Sequence, residues 1–192
     1  NTLIEAQGLR ARGVKAVKFG VAGPGVDIPE TVAELPESVV SQKPYVLFIG
    51  RANYDKGALH AVRAVLRLRE RGSDIQLVMI GQETEEFRQF YEELPDSDKR
   101  YVHVLGFVDE SLKHGYLKDA AALLVPSRTD SFGIVLLESW LYGRPVIAAA
   151  AGGIPGVVDN GKNGILVPFG DIPSLANAIK LLIEDPELNQ IL

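Results

Sequence analysis

Short apolar runs alternate along this chain with segments of helical periodicity, and that alternation limits the fold more than any other feature. Tyr45 to Ile49 is an unbroken apolar run closed by Gly50. Ile75 to Ile80 ends at Gly81, Tyr101 to Leu105 at Gly106, and Ala121 to Val125 at Pro126; Pro145 to Ala148 and Gly164 to Val167 are two more. Runs of this length, β-branched and bounded by Gly or Pro, read as strands buried on both faces, the signature of a parallel sheet. Between them lie helical stretches. Residues 57–71 place Leu59, Val62, Leu66 and Leu68 roughly on one side, with Gly72 as the stop. Residues 84–93 are acidic and aromatic, and residues 109–118 begin at Asp109, a plausible N-cap. Residues 133–142 end at Gly143 with Pro145 beyond, and residues 171–184 begin at Asp171 with Leu175, Ile179 and Leu182 on one face. The pattern predicts an α/β fold, a doubly wound parallel sheet of Rossmann type.

At 192 residues the chain is long enough for one self-sufficient core. Residues 1–43, Gly- and Pro-rich around GVAGPGVDIPETVAELPES, read as a linker or domain edge, and residues 44–192 as the folded domain. The absence of cysteine removes disulfides, zinc-thiolate sites and thiol catalysis together, and it fits a reducing, cytoplasmic setting. A net charge of −5 argues against a nucleic-acid partner, so any anion site has to be built locally. No apolar run reaches the ~18 residues of a membrane span, and the first residues lack the apolar stretch of a signal peptide. The first residue is Asn1 and the sequence ends on the apolar pair Ile191-Leu192; both ends read as edges of a longer protein.

In a doubly wound sheet ligands bind beyond the carboxyl ends of the strands, so the segments after each apolar run are the candidates. Gly50 and Arg51 followed by Lys56 and Gly57 offer close backbone approach and two cations beside a helix start, an anion site or else ordinary loop cations. The spacing is neither a Walker loop nor a dinucleotide fingerprint, which speaks against a nicotinamide dehydrogenase. Pro126 to Gly133 leads from a strand into a helix, where free N–H groups near Phe132 and Gly133 suit a second phosphate. Asp130 precedes that helix, either as a ligand contact or as its cap. Glu138 lies over one turn inside it, and its carboxylate can accept hydrogen bonds from sugar hydroxyls. Gly152 and Gly153, before Pro155 and Gly156, form a glycine-rich turn expected to start a helix. His60, His103 and His114 are scattered over different elements with no carboxylate or metal spacing and read as core or surface residues, and Trp140 as a packing residue.

In order, these segments resemble the large retaining glycosyltransferase family of the GT-B fold, often called group 1. Pro24-Gly25-Val26-Asp27 looks like its PxGVD segment, and Gly50-Arg51 through Lys56-Gly57 like its GRxxxxKG loop. Gly106-Phe107-Val108 looks like its base-contacting loop, Asp130 to Glu138 like its Glu-x7-Glu motif, and Gly152 to Pro155 like its GGxPE turn. Asn160 to Val167 with Asp171 looks like its closing segment, so the likeness spans roughly residues 23–185. It implies that the chain is the C-terminal domain that binds a nucleotide-diphosphate sugar for retaining, hexosyltransferase-type transfer. Arg51 and Lys56 would hold the diphosphate and stabilise the leaving nucleotide, with Asp130 on the donor sugar. Gly50, the backbone of Val108, the amides of Ser131, Phe132 and Gly133, and the Glu138 carboxylate would make the remaining donor contacts, Glu138 to the ribose. No metal or other cofactor is expected, because cations and a helix N-terminus take that place. The partner would be an N-terminal acceptor domain absent from this chain, which would also carry any membrane association; without it the chain is expected to bind nucleotide weakly and not to turn over. Three departures stand out: Asp130 for the usual Glu, Gly156 for the Glu of GGxPE, and Gly81-Gln82-Glu83 after the second strand. Asp130 and Gly156 keep a non-catalytic nucleotide-sugar binding module open as a second reading; another GT-B enzyme such as a sugar-nucleotide epimerase, which would keep Arg51, Lys56 and Glu138 as nucleotide contacts, is a third.

Overall fold

A computed structural model describes residues 29–35, 44–130 and 132–191, with isolated positions 7, 11, 25 and 26. Pro24, Asp27 and Ser131, singled out above, lie outside the described residues. The elements run β1 (Tyr45–Ile49), α1 (Ala58–Arg69), β2 (Gln76–Ile80), α2 (Glu85–Glu92), α3 (Asp96–Lys99), β3 (Val102–Val104), α4 (Glu110–Asp119), β4 (Ala122–Val125), α5 (Ile134–Leu141), β5 (Val146–Ala149), β6 (Ile165–Val167), α6 (Ile172–Glu184) and α7 (Pro186–Ile191). All described strand pairs are parallel, in the order β3-β2-β1-β4-β5-β6. Each apolar run of the sequence became a strand. The short α3, which has no apolar residue, and the terminal α7, which packs Leu188 on the core, went unforeseen.

Alternation along the strands divides the core in two. Val46 and Phe48 of β1 face one side, with Leu77, Met79 and Leu124, beneath α1 and α6. Tyr45 and Leu47 face the other, with Val78, Leu123 and Val146, beneath α4 and α5. Parallel strands need a crossover helix, and helices on both faces bury most strand side chains; this is why the runs are continuously apolar. Tyr45, the one polar-tipped residue in β1, donates its hydroxyl proton to the Tyr116 carbonyl at 2.8 Å.

The buried stripe of α1 differs from the one expected. It runs through Ala58, Ala61, Val62, Val65 and Leu68, while Leu59 and Leu66 are only partly buried. Ala58 and Ala61 stand at i and i+3 of this stripe, and their small side chains let the helix lie close to the sheet. Helix starts match the expected caps at Asp109, whose carboxylate accepts from the Leu112 N–H at 2.8 Å, and at Asp171, which accepts from the Ser174 N–H at 3.0 Å. The glycine-rich turn does not start an α-helix. Ile154–Gly156 is a single 3-10 turn, and Pro155 stands inside it. Within the expected linker, Ala33 donates its N–H to the Ser111 carbonyl at 3.1 Å, and Leu35 packs on the core under α4.

Gly57 decides how close β1 and β4 can bring their following loops. It has φ 72, and a Cβ there would lie 2.1 Å from the Pro126 carbonyl oxygen. Gly57→Ala is therefore expected to destabilise by more than the ~1–2 kcal/mol of the left-handed conformation alone. Urea unfolding reads this as a lowered midpoint at unchanged slope. A variant as stable as the parent chain would mean that the two loops separate at no cost.

Candidate functional site

The strand order reverses between β1 and β4, and the loops that leave these two strands at their carboxyl ends diverge into a cleft. Two cavities share Ile49 and Gly50 as a common wall. The first, about 490 Å³, is lined by Lys56, Thr129, Asp130, Phe132 and Gly133, with Ile134 and Val135 at the start of α5. The second, about 370 Å³, is lined by Arg51, Gln82, Phe107, Val108, Glu110 and Lys113. Both volumes suit small-molecule ligands.

Hydrogen bonds join the loop after β1 to the loop after β4. The Asp55 carbonyl accepts from the Arg128 N–H at 2.8 Å and from the Ser127 hydroxyl at 3.3 Å. The Asp55 carboxylate pairs with the Arg128 guanidinium at 2.6 Å. Asn53 closes the turn by accepting the Lys56 N–H at 2.8 Å, which directs the Lys56 side chain across the gap. Its ammonium donates to the Asp130 carboxylate. Asp130 is therefore the partner of Lys56 and not the cap of α5. That cap is Gly133, which is left-handed and brings no side-chain hydrogen bond. The first N–H groups of α5 consequently face the first cavity with the positive end of the helix dipole.

The glycine-rich turn supports this loop from behind. Gly153 donates its N–H to the Asp130 carbonyl at 2.7 Å. A Cβ on Gly152 would meet that oxygen at 2.5 Å. The bare backbone at this turn thus meets the Asp130 loop, which itself lines the cavity.

Glu138 is 9% exposed and lines neither cavity; it lies one turn deeper in α5 than Ile134 and Val135. Its Oε1 accepts from Lys113 Nζ at 3.0 Å, and its buried Oε2 has no hydrogen-bond partner. Lys113 also reaches Glu110 at 2.6 Å. Burial works against the Lys113 charge, but the hydrogen bonds and charges of Glu110 and Glu138 outweigh it and hold its pKa above the ordinary lysine value. Arg51 is exposed at the mouth of the second cavity and makes no hydrogen bond or ion pair among the described residues. Phe107, beside Val108, is 80% exposed on the same rim.

The structure brings together Gly50, Arg51, Lys56, Val108, Asp130, Phe132, Gly133 and, just beneath, Glu138. Sequence reasoning missed Lys113, Asp55 and Arg128. It also kept the histidines away from carboxylates, which the structure corrects. His114 Nε2 lies 3.7 Å from Glu110, one helical turn away, and its Nδ1 is 2.9 Å from the Tyr142 hydroxyl. The four-residue spacing of Glu110 and His114 was the available signal. Glu110, His114 and Glu138 present ligand-type atoms within 4.8 Å of one another. The Lys113 ammonium bonds both of those carboxylates, so this cluster already carries its cation.

Fold and site together define an open doubly wound α/β domain with a cationic, N–H-rich cleft at its switch point. The chain belongs to the group 1 glycosyl transferases, whose family model matches residues 34–192. It is 30% identical over 167 residues to α-D-kanosaminyltransferase of Streptomyces kanamyceticus, covering 82% of this chain and 41% of that protein. The chain thus spans less than half of the curated relatives it matches first. Among solved structures, Anabaena HepE in complex with UDP and glucose is 26% identical with a TM-score of 0.69, over 81% of this chain and 42% of that one. The C-terminal domain of the group 1 family protein LpcC from Francisella tularensis shares the fold at 24% identity and a TM-score of 0.69, over 84% of this chain and 88% of that one. Among the described residues no helix is long and apolar enough to cross a membrane.

All three imidazoles are held below the ordinary histidine pKa, chiefly by burial; the Arg63 charge adds to this at His60 and the Lys113 charge at His114. Below about pH 6.5 the unfolded chain therefore binds protons that the folded chain refuses, and stability falls. Urea unfolding between about pH 7.5 and about pH 5.5 is expected to show this fall, flattened when all three are replaced by Gln. An unchanged slope against pH in that variant would show that these imidazoles charge freely in the folded protein.

Proposed function

We propose that this chain is the donor-binding half of a retaining glycosyltransferase and holds a nucleotide-diphosphate sugar across the two cavities. The observation that carries this reading is Glu138 Oε2, a buried acceptor without a partner, set beside a cleft of cations and free N–H groups. A buried polar atom left unbonded is costly, so a donor is needed there. The ribose hydroxyls next to a diphosphate supply one.

The remaining roles follow from position. Arg51 and Lys56 neutralise the diphosphate, and as the glycosidic bond breaks they stabilise the charge that develops on the leaving nucleotide. The α5 N-terminus, with the amides of Phe132 and Gly133 and, from the sequence motif, Ser131, adds fixed dipoles to the same task, so the reaction needs no metal. Gly50 lets the diphosphate approach bare backbone. Lys56 rests on Asp130 in the donor-free protein; the donor's phosphate takes over the ammonium, and Asp130 is released to accept from a hydroxyl of the hexosyl group. The backbone at Val108 meets the base. The acceptor, and the attack on the face that the nucleotide leaves, belong to an N-terminal domain across the cleft. We place the reaction in the cytoplasm, in keeping with a cysteine-free chain, with any membrane association carried by that other domain. UDP is the first nucleotide to test, since HepE, 26% identical, binds it.

Calorimetric titration of the 192-residue chain with UDP, GDP and ADP is expected to give weak binding of one of them. Lys56→Ala and Glu138→Ala should each weaken it about tenfold or more, the effect of one charge-assisted hydrogen bond. Binding unmoved by both substitutions would overturn the assignment. The chain alone is expected to transfer no sugar to any acceptor, and robust transfer would disprove the need for a second domain.

A further inference from the structure

Lys113 has no part in the donor contacts above, yet its side chain is only 13% exposed and lines the second cavity directly above Glu138. A carboxylate buried among Val135, Leu136 and the core under α5 is costly to keep charged without a partner. Lys113 Nζ supplies that partner at 3.0 Å from Oε1, and it takes only this one of the two oxygens. The second carboxylate on the ammonium, Glu110 at 2.6 Å, is 75% exposed and remains largely solvated. On the far side, His114 is hydrogen-bonded to Tyr142 at 2.9 Å, so neither group competes for Glu138 among the described contacts. With Oε1 engaged, the plane of the Glu138 carboxylate is set and Oε2 is left as its unbonded, buried oxygen.

We infer that Lys113 is a positioning residue: it holds the Glu138 carboxylate in one orientation, with Oε2 left for a ribose hydroxyl, and so makes the site prefer ribonucleotide over 2′-deoxyribonucleotide diphosphates. The inference rests on the nucleotide reading above and extends it to how the pentose is recognised. No motif marks this lysine, because its partner is 25 residues away on another helix.

The test is calorimetric titration of the full chain with whichever of UDP, GDP and ADP it binds, and with the 2′-deoxy form of the same nucleotide. The unmodified chain is expected to favour the ribonucleotide about tenfold or more, as one hydrogen bond to a charged group would give. Lys113→Met should bind both forms alike, at about the affinity the unmodified chain shows for the deoxy form. Lys113→Arg, which keeps the charge and the donors, should restore the preference. The ratio of two affinities does not depend on the folded fraction, and Lys113→Gln replaces Lys113→Met should the latter not fold. A Lys113→Met or Lys113→Gln variant that keeps the full preference overturns the role of Lys113 and leaves the nucleotide reading standing. Nucleotide binding without any ribose preference in the unmodified chain overturns the Glu138–ribose contact and this inference with it, while the diphosphate site stands. Binding of none of the three nucleotides overturns the reading on which both rest.

Discussion

The close approach of the loops after β1 and β4 is the constraint on which the rest of the site depends. Strand order reverses between these strands, so their crossover helices leave on opposite faces and the loops would otherwise splay apart. Gly57 against the Pro126 carbonyl, and the Asp55 carbonyl bonded to Arg128 and Ser127, hold them together at the base. The cleft opens only above that contact. Lys56 and Asp130 then face one another across it, and the N-terminus of α5 enters from the side. Each of these positions is inherited from backbone contacts, not from the charged side chains. An exposed ion pair such as Asp55–Arg128 is worth little by itself, whereas the buried backbone geometry beneath it is not negotiable.

Charge in the site is organised against the background of the chain. The net charge is −5, so nothing in the bulk field draws in a polyanion. Lys56, Arg51 and the free N–H groups of α5 make a local exception, concentrated where low-dielectric walls of Ile49, Val125 and Ile134 strengthen it. Lys113 belongs to a different arrangement: with Glu110 and Glu138 it forms a chain of carboxylate, ammonium and carboxylate that runs from solvent to the interior. The cleft thus has one cation held by a carboxylate in the first cavity, another held by two carboxylates at the second, and a third, Arg51, unpaired among the described residues.

The sheet was legible because its strands carry one signal each, an apolar run with a Gly or Pro at its end. Caps at Asp109 and Asp171 were equally local. The buried face of α1 was misjudged because large side chains drew attention from the alanines that set the helix–sheet distance. Gly152 and Gly153 were seen as a helix start, whereas their use is to admit the Asp130 backbone. The candidate residues of the cleft could be named in order because the strand ends declare themselves, but their pairings could not. Lys56 meets Asp130 across 74 positions and Lys113 meets Glu138 across 25.

By itself, then, the amino-acid sequence determined the α/β class, the parallel sheet and the segments that would line its carboxyl edge. These follow from periodicity, turn residues and caps, each of which acts within a few positions of chain. Tertiary structure alone decided which charges meet, which carboxylate oxygen is buried without a partner, and that a lysine outside every motif stands over Glu138. Such facts depend on how far two helices on one face of a sheet approach each other. That distance is set by packing summed over the whole core, and no local stretch of sequence carries it.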